Sequence, residues 1–210
     1  TNPFLIADDG SVKVEFFVEN SGLTEITVEF EFSIPFDGKH DAPEGETISA
    51  GSNESFDLKI SGIDVLAHDA EKKEKFSISA KITARQGIPD PLSSPQNREG
   101  DLEIPSIFDL SVEISEPFGP MNAGSDTILT VTVTNNGNAQ DGVEEVDVKD
   151  DCPLLTTDNG LDALLSGNIE SGKEKDANLK ITASESHPKR HCDITVTVTS
   201  KREMSGSGNA

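Results

Sequence analysis

Apolar and polar residues alternate with period two over several stretches of the chain, the pattern of a strand with one buried and one solvated face. Val12, Val14, Phe16 and Val18 interleave with Lys13, Glu15, Phe17 and Glu19. After Asn20-Ser21-Gly22, the residues Ile26, Val28, Phe30, Phe32 and Ile34 interleave with Thr27, Glu29, Glu31 and Ser33. The short polar connection predicts that these two strands form an antiparallel pair. Phe56, Leu58 and Ile60 mark a third strand, and Phe76, Ile78, Ala80 and Ile82 a fourth. Helix is expected only over 63–75 and 160–165, a turn or two in each case.

The second half of the chain replays this order. Leu129, Val131 and Val133 lead into Asn135-Asn136-Gly137, followed by Val146 and Val148, then Ala177, Leu179 and Ile181, then Ile194, Val196 and Val198. Asn20 and Asn135 stand 115 positions apart, Ile60 and Ile181 121, and Ile78 and Ile194 116. Shifts of this size fall between strands, where loops absorb insertions at little cost. A Pro- and Ser-rich loop over 87–100 closes the first half, and alternation restarts over 107–115 with Phe108, Leu110, Val112 and Ile114. The fold class predicted is all-β: two tandem immunoglobulin-like β-sandwich domains of about seven strands each, over 1–104 and 105–203. Residues 204–210, rich in Ser and Gly, read as a flexible tail.

Composition narrows the partners. The 210 residues carry 39 acidic and 17 basic side chains, a net charge of −22 spread over both halves. Such a surface repels phosphate backbones, so nucleic acid is excluded as a partner. No stretch has the length and apolarity of a membrane span, so direct membrane insertion is not expected. Trp and Tyr are absent and the ten Phe fall mostly on inward phases, which counts against a carbohydrate platform. Phe17 is the exception, on the polar face of its strand. The acidic shell suits salty or cation-rich surroundings and blunts sheet edges.

Cys152 and Cys192 are free thiols, metal ligands or one disulfide by count alone. Topology narrows the choice. In an immunoglobulin-type sandwich the third strand pairs with the sixth, so Cys152 at the end of one lies beside Cys192 at the start of the other. Both share the inward phase of their strands, and a Cys152–Cys192 disulfide in an oxidising compartment is predicted. Aligning the halves places Ile34 and Phe76 at the same corner of the first unit. His187 and His191 would complete a nominal zinc set, but their spacing matches no zinc motif.

Other chemistry is sparse. There is no G-x-S-x-G elbow and no phosphate-cradling glycine loop, and the four histidines lie in polar segments, so no enzyme is expected. No cofactor is expected; Ca²⁺ is the one candidate ion. Carboxylates cluster at Asp8-Asp9, at Asp41, Glu44 and Glu46, and at Asp147, Asp150 and Asp151, and the last three are the favoured set. Asn53-Glu54-Ser55 is the one glycosylation sequon, with Asn53 as acceptor.

The segments Phe16-Phe17-Val18-Glu19-Asn20-Ser21-Gly22 and Val131-Thr132-Val133-Thr134-Asn135-Asn136-Gly137 repeat one element, each followed by a Gly-x-x turn at Gly51-Ser52-Asn53 and Gly172-Lys173-Glu174. Asn and Gly there are read as tolerating a left-handed turn. The pattern resembles the CARDB-like family, the cell-adhesion-related immunoglobulin-like modules of prokaryotic surface and secreted proteins. The resemblance implies a non-catalytic extracellular or cell-surface module with a structural, stalk or adhesion role. Its partners would be other domains of the same surface protein or neighbouring surface proteins. The alternative is a Ca²⁺-dependent binding or accessory module attached to a secreted enzyme.

Overall fold

The computed structural model of the chain describes residues 2–152, 155–188, 190–202 and 205–209. Two units separate by their internal contacts, Thr1–Pro105 and Ser106–Ala210. The first contains β1 (Phe4–Leu5), β2 (Val12–Glu19), β3 (Ile26–Ser33), β4 (Lys39–Asp41), β5 (Gly45–Ile48), β6 (Asn53–Ser61), β7 (Lys73–Arg85), β8 (Ile88–Pro89) and β9 (Gln96–Glu103). One sheet runs β1-β9-β7-β3-β5, with β8 also against β7, and the other runs β2-β6-β4. The inward residues of both sheets, among them Val14, Val28, Ile48, Leu58, Ile60, Phe76 and Leu102, are buried.

The expected pairing of β2 with β3 is corrected. Val14 of β2 lies opposite Leu58 of β6, and Val28 of β3 lies opposite Ile82 of β7. The Asn20–Gly22 connection therefore crosses from one sheet to the other. Alternation identifies a strand and its apolar face, but not the neighbour that takes its hydrogen bonds. The two apolar faces meet instead, with Phe16 of β2 edge-on to Phe30 of β3 at 5.4 Å and stacked on Phe56 of β6 at 5.4 Å. Residues 87–100, expected as loop, include the start of β9, whose first residues are polar and exposed.

The second unit contains β10 (Leu110–Ile114), β11 (Asp126–Asn135), β12 (Val143–Asp150), β13 (Leu155–Gly160), β14 (Glu174–Ala183), β15 (Ile194–Ser200) and β16 (Ser205–Asn209). Its sheets are β10-β11-β14-β13 and β12-β15-β16. Leu129, Val131, Val133, Leu179, Ile181, Val196 and Val198 form the centre of one apolar cluster between them. The expected flexible tail is corrected over 205–209, which pairs antiparallel with β15, Gly206 opposite Val198 and Gly208 opposite Val196. Ser and Gly disfavour strands by propensity, and pairing to a buried neighbour overrides it here. Short 3₁₀ turns occupy Val65–Ala67 and Leu161–Leu165. The chain is thus all-β, with an immunoglobulin-like β-sandwich arrangement of sheets.

Each unit is knotted at the end of its first long inner strand by a buried asparagine. The Asn20 amide donates towards the carbonyls of Thr24, Ile48 and Ser49 at 2.8, 3.1 and 3.0 Å, and its Oδ1 accepts from the Gly22 N–H. The fully buried Asn135 donates to the carbonyls of Ala139 and Ile169 at 2.8 and 2.9 Å, and its Oδ1 accepts from the Gly137 N–H at 3.0 Å. Gly51 and Gly172 adopt the expected left-handed conformation, with φ of 69° and 68°, whereas Gly22 and Gly137 do not. Gly137 is required because a Cβ there would lie 2.2 Å from the Ile107 carbonyl oxygen. Asn135→Ala leaves two buried carbonyls and one amide without their partners, each costing about 1–3 kcal/mol. Its urea midpoint should fall well below that of the wild type, with Leu23→Ala, at a position 97 % exposed, as the neutral control.

Candidate functional site

Strand β3 builds an open groove in the first unit. Its burial alternates, with Val28 and Phe30 inward and Glu29 and Glu31 exposed. On one side it pairs with β7 along its whole length; on the other, β5 covers only Ile26 to Glu29. Gly45 allows that approach, since a Cβ there would lie 2.7 Å from the Val28 carbonyl oxygen. The Phe30 N–H donates to the Glu44 carbonyl at 2.8 Å, and beyond this rung the chain turns away to β4, which pairs with β6 in the opposite sheet. By the period of two, the Phe32 N–H and C=O point to the same side as those of Phe30, where no strand lies among the described residues.

The groove so formed has a volume of about 860 Å³ and is lined by 27–32 together with His40, Glu44 and Gly45. Its floor is apolar: Phe32 is half-buried, 4.7 Å from the His40 ring and 6.0 Å from Phe16. Its rim is acidic, with Glu29, Glu31 and Glu44 all exposed. An unpaired edge over an apolar floor is the arrangement that accepts an added strand. The sequence reading missed this site because β4 and β5 are three and four residues long and mostly polar. The signal lay in Ala42-Pro43-Glu44-Gly45, where Pro43 lacks the N–H that a continuing ladder would need.

In the second unit β12 pairs with β15, Asp150 opposite Ile194, which brings together the loop ends bearing the cysteines. Cys152 and Cys192 form the predicted disulfide, with a Cα–Cα distance of 5.8 Å. Cys152 is buried and Cys192 half-buried. Around them the carboxylates serve the loops separately. Asp147 pairs with Lys149 at 2.9 Å, Asp150 accepts from the Cys152 N–H at 3.0 Å, and Asp151 accepts from the Asp193 N–H at 2.9 Å while pairing with Arg190 at 3.2 Å. The favoured Ca²⁺ set is therefore not brought to one point. His191 faces Asp193, whereas His187 lies beside Cys192, its Nε2 3.8 Å from Sγ.

The remaining candidates are dispersed. Asn53 is exposed at the start of β6, and Phe17 is 62 % exposed on the outer face of β2, opposite Ser55. Asp9 accepts from the Ser11 hydroxyl and amide, which hold its carboxyl below the usual range. Phe76 packs edge-on against Phe4 at 5.8 Å, and Ile34 borders Gly38.

No family model matches the chain, and no curated protein matches it. Among solved structures, it is similar to a protein of unknown function from Porphyromonas gingivalis, at 13% identity over 100% of this chain and 94% of that one, with a TM-score of 0.34. It is similar to the CupB2 chaperone of Pseudomonas aeruginosa at 11% identity over 98% and 94%, with a TM-score of 0.36. The E. coli chaperone DraB matches at 10% identity over 99% and 90%, with a TM-score of 0.33. The resemblance to the CARDB-like family is corrected: no family model matches the chain, and the similar solved structures include chaperones, one named periplasmic and one of class 5 fimbriae. The stalk or adhesion role that rested on it falls with it, as does the accessory-module alternative. The short turn pattern that suggested the family is explained by the buried Asn20 and Asn135 amides, which any sandwich with a clamp at this strand end can carry.

The disulfide closes a loop between positions 40 residues apart. In the chain-entropy relation this stabilises the fold by about 4 kcal/mol. Cys152→Ser combined with Cys192→Ser should lower the unfolding free energy of the second unit by that order, read from its denaturant midpoint together with a steeper slope, because the unfolded chain without the cross-link exposes more surface.

Proposed function

We propose that this chain is a non-enzymatic, secreted protein of two immunoglobulin-like units that binds another polypeptide by pairing an extended segment with the open edge of β3. The observation that carries this reading is the groove beside Phe32, with its unpaired backbone, its aromatic floor and its three rim glutamates. A segment that fits would be extended, with apolar side chains alternating with Lys or Arg. The backbone rungs supply affinity, the Phe32 floor takes an apolar side chain, and Glu29, Glu31 and Glu44 select positive charge.

The reading as two units, 1–104 and 105–203, draws support from matched pairings: β2 with β6 and β3 with β7 in the first, β11 with β14 and β12 with β15 in the second. The absence of catalysis is favoured by the character of the perturbed groups, which sit in ordinary exposed contacts. Asp57 raises the Lys13 amine, Glu99 raises the Lys75 amine, and Lys180 lowers the Asp126 carboxyl. Secretion is favoured by the disulfide, and no helix among the described residues is long and apolar enough to cross a membrane.

The test is a titration of isotope-labelled protein with a ten-residue peptide alternating Val and Lys, followed by amide chemical shifts. Shifts should concentrate at Glu29 to Ser33 and Glu44 to Glu46, weaken with added salt, and be absent with a Val and Glu peptide. Replacing Glu29, Glu31 and Glu44 together by Lys should weaken binding at least about tenfold. Shifts confined to other surfaces, or none, would sink the reading.

A further inference from the structure

Among the described residues, metal-ligating side chains converge at one corner of the second unit, where the ligand atoms of Cys152, His187 and Cys192 all lie within 4.8 Å of one another. The two sulfurs are bonded to each other and hold no lone ligand position for an ion in this state. The imidazole, however, is oriented. His187 Nδ1 lies 2.8 Å from the carbonyl oxygen of Pro188. A carbonyl only accepts, so Nδ1 carries the proton and donates it, and Nε2 presents its lone pair towards Cys192 Sγ at 3.8 Å. The ring is placed by a turn in which the His187 N–H donates to the Ser184 carbonyl at 3.0 Å. A backbone carbonyl that holds the far N–H is how a histidine is aimed at a metal.

We propose that reduction of the Cys152–Cys192 disulfide converts this corner into a binding site for a zinc-class divalent ion, with both thiolates and His187 Nε2 as ligands and water in the fourth position. Zn–S bonds of about 2.3 Å and a Zn–N bond of about 2.0 Å set tetrahedral edges of roughly 3.8 Å between sulfurs and 3.5 Å between sulfur and nitrogen. The His187–Cys192 separation is already close to that edge. Cleavage of the S–S bond frees the sulfurs to take the other. Two thiolates and an imidazole are soft enough to select zinc or cobalt over calcium or magnesium. Cys192 and His187 are half-buried, which leaves the ion a path from solvent.

The chemistry balances with an external dithiol as reductant. It passes two electrons and two protons to the disulfide, giving two thiols, and is itself oxidised to a disulfide. Metal binding then releases both thiol protons to solvent. Zinc and the disulfide are thus mutually exclusive occupants of one corner, and oxidation of the site expels the ion.

The experiment uses the full chain, reduced with a phosphine without oxygen, desalted and titrated with Co²⁺. Thiolate-to-cobalt charge-transfer and tetrahedral d–d absorption should saturate at one ion per chain and vanish on addition of Zn²⁺. The oxidised protein should show neither band. His187→Ala should weaken cobalt binding at least about tenfold. Zinc should also raise the melting temperature of the reduced wild type, and at the same zinc concentration raise that of reduced His187→Ala by less. Absence of the bands in the reduced protein, equal titration of His187→Ala, or a reduced chain that unfolds and is not restored by zinc would each overturn the proposal.

Discussion

The structure depends on how a strand end can stop without leaving its backbone unpaired inside the sandwich. Asn20 and Asn135 solve this with a side-chain amide that serves as donor and acceptor at once. Each takes the carbonyls of a neighbouring loop and returns an acceptor to the turn glycine's N–H. The backbone repeats the link: Asn20 N–H donates to Ser52 O and Gly51 N–H to Asn20 O, while Asn135 N–H donates to Lys173 O and Gly172 N–H to Asn135 O. Such a group is costly to bury unless every bond is made. Once made, those bonds fix where the strand ends, where the next chain segment leaves, and hence which sheet that segment joins.

What alternation could and could not reveal follows from this. The long inner strands β2, β3, β6, β7, β11, β14 and β15 were legible, because their inward residues keep strict phase. The partners of β2 and β3 were not, since a period of two is silent about pairing, whereas the β12–β15 pair followed from the strand order of a sandwich. The short edge strands β4 and β5 were invisible: Lys39–Asp41 is wholly exposed and Gly45–Ile48 buries only its last residue. The glycines of β16 read as a spacer because propensity knows nothing of a waiting partner.

The sites divide along the same line. The Cys152–Cys192 bond was legible, because strand order and phase together place both residues at one end of a sheet. The Asp147, Asp150 and Asp151 set was legible only as composition. Each carboxylate serves a nearby backbone amide or cation. The β3 groove is a property of where a strand stops, and no single residue announces it. His187 was visible as a residue, while its aim depends on the Pro188 carbonyl.

The Asn135 clamp also bears on the order in which the second unit assembles. One of its carbonyl partners, Ala139, lies four residues on, but the other, Ile169, lies 34 residues on. The near bond needs only a local turn, while the far one waits until the chain has laid down β12 and β13 and come back. Bonds between distant positions carry the entropy of closing long loops before they return any stability. One amide thus ties a short loop and a long one at the same point, so the entropy of closing the long loop falls on the bond to Ile169 and not on the bond to Ala139.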